Sequence, residues 1–139
     1  MGEQTNRAVV ERFLTDAKLD PAAEAELRSE DYVMEMPQSG ERIRGRENMR
    51  AFQEHYPAPP TVTVHEIRGA GNTFVAELVN DYDGDVFHAV LILEVRDGRI
   101  VRDTRYYAEP FEPPSWRSRW VEPMERGTTS PGDGTTPVG

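Results

Sequence analysis

Three residues at alternate positions late in the chain, Asp103, Arg105 and Tyr107, carry the most chemistry per residue of this sequence. In an extended segment they share one face, because side chains alternate across a strand. Leu78, Asn80 and Tyr82 share a face of an earlier segment in the same way. A guanidinium at the wall of an apolar cavity favours a carboxylate or another oxygen, held through parallel N–H groups. Tyr107 adds a hydroxyl, and Asn80 an amide that can orient a ligand. The candidate catalytic bases are Asp103 and His88. Strand parity sets His88 opposite the apolar residues of its own strand, so it reaches such a cavity only if a bulge near Asp85 reverses the face. Asp103 and Arg105 also have a purely structural use, since two residues apart on one face they can satisfy each other as an ion pair.

Several chemistries are excluded. The 139 residues contain no cysteine, which removes disulfides, thiolate nucleophiles and thiolate-bound zinc. His55 and His65 have no metal-ligand spacing with each other or with nearby carboxylates, so no metal site is expected. With 25 acidic against 16 basic residues the net charge is −9, the wrong sign for nucleic acid or an anionic membrane. No apolar run approaches the ~18 residues of a spanning helix, and the charged start is no signal peptide, so a cytoplasmic protein is expected.

These groups must be positioned by three consecutive strands, TFVAELVNDY, VFHAVLILEV and RIVRDTRYYAE, joined at Asp83-Gly84 and Asp97-Gly98. Asp-Gly between alternating runs is a hairpin signal, because tight hairpin turns need positive φ. The middle strand has one wholly apolar face, Phe87, Ala89, Leu91, Leu93 and Val95, and belongs in the centre of a sheet. Upstream, residues 6–19 place Val9, Val10, Phe13, Leu14 and Ala17 at helical spacing. Asp20-Pro21 starts a second helix, with Asp as cap and Pro at the first position. Tyr32–Met36 reads as a short strand stopped by Pro37, with Met34 and Met36 as core filler. A third helix over Glu47–His55 is ended by Pro57, Pro59 and Pro60, and Thr61–Ile67 is a further strand. Early helices and a late meander make the class α+β. Trp116 and Trp120 are expected to pack back over the sheet or a partner subunit. Residues 1–122 read as one domain and 123–139 as a disordered Gly/Thr/Pro-rich tail.

This element order resembles the nuclear-transport-factor-2-like superfamily, most closely its SnoaL-like bacterial branch. The resemblance is carried by PQSGERIRG after the first strand, RDGRI at the last hairpin and RYYAEPFEPPSWRSRWVE beyond it, and covers roughly residues 5–122. It implies a cone of strongly bent antiparallel sheet and N-terminal helices around an apolar pocket, and a homodimer through the sheet's outer face. Members include isomerases, cyclases, epoxide hydrolases, dehydratases and binding-only proteins, so the site must decide among them. The slots for a steroid-isomerase-like base, oxyanion-holding tyrosine and second acid hold Met36, Phe13 and Leu91. The slot for a cyclase-like aspartate holds Arg105. The epoxide-hydrolase-like arginine and second aspartate fall on Leu78 and Asn80.

The combined reading is a small-molecule pocket for a mostly apolar ligand with a carbonyl or anionic oxygen, needing no cofactor. Phe13, Met36, Leu78 and Leu91 would give apolar depth, and Asn80, Tyr82, Arg105 and Tyr107 polar contacts. A cofactor-independent isomerase, cyclase or hydrolase fits this, and so does a non-catalytic binding or dimeric assembly domain. An open cavity with a buried, unpaired Arg105 would favour ligand binding, and a filled core with Arg105 paired to Asp103 an assembly domain.

Overall fold

Two tight turns set the register of the sheet. In the computed structural model, which describes residues 2–125, Asp83 and Gly84 have φ of 58° and 104°, and Asp97 and Gly98 have 53° and 75°. Each pair forms the two-residue loop of a hairpin, closed by Tyr82 opposite Asp85 and Arg96 opposite Arg99. The expected meander therefore exists as β4 (Thr73–Tyr82), β5 (Asp85–Arg96) and β6 (Arg99–Ala108). In β5, Ala89, Leu91, Leu93 and Val95 are buried, while His88, Val90 and Glu94 are exposed. β3 (Thr61–Ala70) continues the antiparallel order beside β4.

The other side of the sheet departs from expectation. β1 starts at Arg28 and runs to Met36, and it lies parallel to β6, with Met34 opposite Asp103. Its register is interrupted between Arg28 and Val33, so its polar beginning shows no alternation to read. A strand with no sequence signature, β2 (Glu41–Arg44), pairs with β1 across the Pro37–Gly40 turn. Gly40 closes that turn at φ 77°, with its N–H on the Met36 carbonyl. The strand order is β2-β1-β6-β5-β4-β3, a curved sheet that does not close, so the expected cone is open between β2 and β3.

Three helices cover the concave face. α1 (Glu3–Leu14) ends earlier than its apolar period, because the Ala17 N–H turns back to the Arg12 carbonyl and Leu19 takes a φ of 67°. Ala17 is buried from this turn rather than from the helix. α2 (Pro21–Glu26) is capped by Asp20, whose carboxylate accepts from the Ala23 N–H. α3 is Arg46–Glu54. The core joins Val10, Phe13 and Leu14 of α1 to Tyr32, Met34, Phe74, Leu91, Leu93 and Ile100 of the sheet. Each such side chain contributes about 1.5–3 kcal/mol by leaving water.

After β6 the chain runs along the surface to a 3-10 turn over Ser115–Trp120. Trp116 and Trp120 are 73% and 69% exposed, so neither packs back over its own sheet as expected. Proline at positions 110, 113 and 114 favours an extended path for this segment. The residues assigned to a tail from 126 onward lie outside the described residues. Among the described residues no helix is long and apolar enough to cross a membrane.

Candidate functional site

β6 delivers Asp103 and Arg105 to the concave face, and β1 delivers Tyr32 beside them. Asp103 is fully buried, and both its carboxylate oxygens accept hydrogen bonds. It accepts from the Tyr32 hydroxyl at 2.8 Å, from Arg105 Nη2 at 2.7 Å and from Arg105 Nε at 3.1 Å. Burial alone would lower the Arg105 pKa, but the Asp103 charge beside it overrides that and holds it above its ordinary value. Burial, reinforced by the Asp103 charge, pushes the Tyr32 phenol well above its usual range, so it stays a neutral donor. The expected alternative of an Asp103–Arg105 ion pair is thus present.

The pair does not close the site. Arg105 Nη1 makes no hydrogen bond within the described residues, and Arg105 lines a cavity of about 790 Å³. The core is therefore neither filled nor equipped with a free guanidinium; it holds an open cavity with a paired arginine at its wall. Phe13, Met36, Leu78, Asn80, Tyr82, Leu91 and Tyr107 line the same cavity, so all eight residues expected at a pocket are brought together. Every slot tested by resemblance is on this wall too: Met36, Phe13, Leu91, Arg105, Leu78 and Asn80.

The polar groups of the wall differ in how they are satisfied. Asn80 is 7% exposed, and its Oδ1 is buried without a partner among the described residues. The Tyr82 hydroxyl lies 3.1 Å from that of Tyr56, and burial followed by this hydrogen bond pushes its pKa up. Lys18 donates to the Val62 carbonyl at 3.0 Å, and Glu24 is held by Arg28 and Gln53. Tyr56, Phe52 and Phe87 supply aromatic wall.

Two catalytic candidates are corrected by this geometry. His88 is exposed, pairs with Val79 and Ala108, and points away from the cavity, because β5 keeps its alternation without a bulge near Asp85. Asp103 faces inward but does not line the cavity, and Tyr32 and Arg105 occupy both its oxygens. General-base work needs a carboxylate within reach of a substrate proton. Tyr32 was missed as a site residue, although its alternation with Met34 and Met36 is the signal that places it on this face. Among the described residues no group of three or more histidines and carboxylates could hold a metal ion.

Comparison with known proteins agrees with the geometry. A structure of an NTF-2 like protein of unknown function from Burkholderia xenovorans LB400 superposes with a TM-score of 0.80 at 36% identity, covering 88% of this chain and 97% of that one. A "putative ketosteroid isomerase" from Kribbella flavida DSM 17836 gives 0.79 at 30% identity, with 90% and 93% covered. An LEH-like epoxide hydrolase of M. tuberculosis shares the fold at 0.64 and 23% identity, with 76% and 84% covered. No curated protein matches the chain. The model of the SnoaL-like domain matches residues 7–103, and the chain belongs to that family.

Proposed function

We propose that this protein binds a small, mostly apolar molecule in the cavity under α1 and α3, with one oxygen of the ligand on Arg105. The observation that carries the reading is Arg105, with Nη1 unpartnered among the described residues, at the wall of a largely apolar cavity of about 790 Å³. That volume lies in the 300–1,000 Å³ range of small-molecule sites, and a few placed polar groups in an apolar wall are their usual make-up. Tyr107 and Asn80 would then fix the orientation.

The same groups suit an enzyme that polarises a carbonyl, such as a cofactor-independent isomerase, cyclase or hydrolase. Binding without base catalysis is favoured here, because Tyr32 and Arg105 engage the inward aspartate and no histidine is among the described residues that line the cavity. The test is ligand-detected NMR against a panel of bicyclic aromatic ketones, amides and carboxylates, repeated with Leu91→Trp, which fills the cavity without changing charge. Saturation transfer that vanishes in the variant supports the proposal. Transfer that persists unchanged places binding elsewhere.

We propose further that two copies pair through the outer face of the sheet, the cytoplasmic location expected from the sequence remaining part of the reading. Support comes from Val90 and Tyr106, exposed at 37% and 41% on adjacent strands and directly opposite each other, and from the apolar segment carrying Phe111, Trp116 and Trp120. Light scattering should give about twice 15.8 kDa. Val90→Arg should return the monomer mass with the fold intact, and a monomeric wild type would refute the pairing.

A further inference from the structure

The charge arrangement of the cavity narrows the ligand class, and this step rests on the proposed binding function. Arg105 is not a free cation. Its charge is already matched by Asp103, which is fully buried and held by hydrogen bonds of 2.7 and 3.1 Å. A ligand carboxylate on Nη1 would sit on the far side of the same guanidinium from Asp103, two anions sharing one cation in a water-poor site. The remaining charged lining does not compensate. Lys18 is the one other cation on the described wall, against Glu24, Glu54 and Asp85. A neutral carbonyl or ether oxygen accepts the same N–H without that repulsion and with far less to lose in leaving water.

The opposite end of the cavity asks for a donor. Asn80 Oδ1 is a buried acceptor with no partner among the described residues, and leaving such an atom unpaired is costly. The register fixes the distance between the two groups. Asn80 lies opposite Phe87 and Arg105 opposite Leu91, on the two strands flanking β5. Four residues along a strand and two strands across separate their Cα atoms by roughly 16 Å. Side chains on one face of a sheet stand side by side and do not shorten that span; two hydrogen bonds of about 3 Å each leave roughly 10 Å between the ligand's own polar atoms.

We infer that the cavity selects an uncharged, elongated apolar molecule with a hydrogen-bond acceptor at the Arg105 end and a hydroxyl or N–H donor at the Asn80 end. A rigid bicycle substituted at its two ends matches that span. The test uses 6-hydroxy-2-naphthamide and 6-hydroxy-2-naphthoate, one skeleton with a neutral and an anionic head, titrated calorimetrically at pH 7.5. The amide should bind at least ten-fold more tightly. Equal or tighter binding of the naphthoate overturns the inference while leaving the binding function standing, whereas failure of both probes removes the binding function itself. Asp103→Asn frees the Arg105 charge and should reverse the preference toward the naphthoate. Asn80→Leu should remove the gain that the 6-hydroxyl gives over plain 2-naphthamide, and a gain that survives this change refutes the assignment of the donor end.

Discussion

Two inward-facing arginines lie near Tyr32, one fully buried and one part-buried, and their surroundings differ in a way that separates scaffold from site. Arg28 is fully buried, with Nη2 on Glu24 at 2.8 Å and Nη1 on Gln53 at 3.0 Å. Its guanidinium lies 5.1 Å from the Phe13 ring and 4.8 Å from the Tyr32 ring, and only Nε lacks a partner. Gln53 also donates to Glu24, and Glu24 accepts the Leu19 N–H, so α2, α3 and β1 are tied at one point. Arg105 has one carboxylate partner and one nitrogen left over, facing a cavity. Both arginines are paired, so pairing does not distinguish them; an unspent donor at a wall does.

The largest effect should come from breaking the closed cage. Arg28→Met strands Glu24 as a buried anion and should cost about 3–5 kcal/mol, read from urea unfolding. Adding Glu24→Leu removes the stranded charge and should recover most of that loss, since well-packed apolar replacements of buried pairs are often neutral. No recovery would mean the cage matters for its ring contacts rather than for its charge. Arg105→Met comes next, at about 2–3 kcal/mol, because cavity water reaches Asp103 once the guanidinium is gone. Unlike Arg28→Met, it should weaken any ligand that leans on Nη1 by about ten-fold. If Arg28→Met, measured where it is still folded, weakens binding as much, the distinction between the two arginines fails.

This distinction was only half legible in the sequence. Alternation placed Asp103, Arg105, Asn80, Leu78 and Leu91 on one surface because a period of two leaves no freedom once two Asp-Gly turns pin the register. The same arithmetic turned His88 outward. What could not be read is contact at long sequence separation between polar groups. Tyr32 reaches Asp103 across 71 positions and Gln53 reaches Arg28 across 25, and neither leaves a local pattern. β2 exists because β1 offers an edge, and nothing in Glu41–Arg44 alternates to announce it. The parallel pairing of β1 with β6 is set by where the helices let the chain return, which strand composition does not encode.

The smallest effect concerns the tyrosine that joins the two arginines, and its dependence on pH is what makes it informative. At neutral pH Tyr32→Phe removes one hydrogen bond to a charged carboxylate and should cost about 1.5–2 kcal/mol. In the folded protein burial and the Asp103 charge keep this phenol protonated far above its usual range. In the unfolded chain it ionises near pH 10. Above that pH the unfolded state binds fewer protons than the folded state, so stability falls as pH rises. The wild type should therefore lose about 1.4 kcal/mol through this one group by pH 11, a loss the phenylalanine variant cannot suffer. The stability gap between the two proteins should accordingly narrow as the pH is raised from 9 to 11. A gap that stays constant would mean Tyr32 ionises as readily folded as unfolded, and the Asp103 carboxylate would then not be held by a neutral donor.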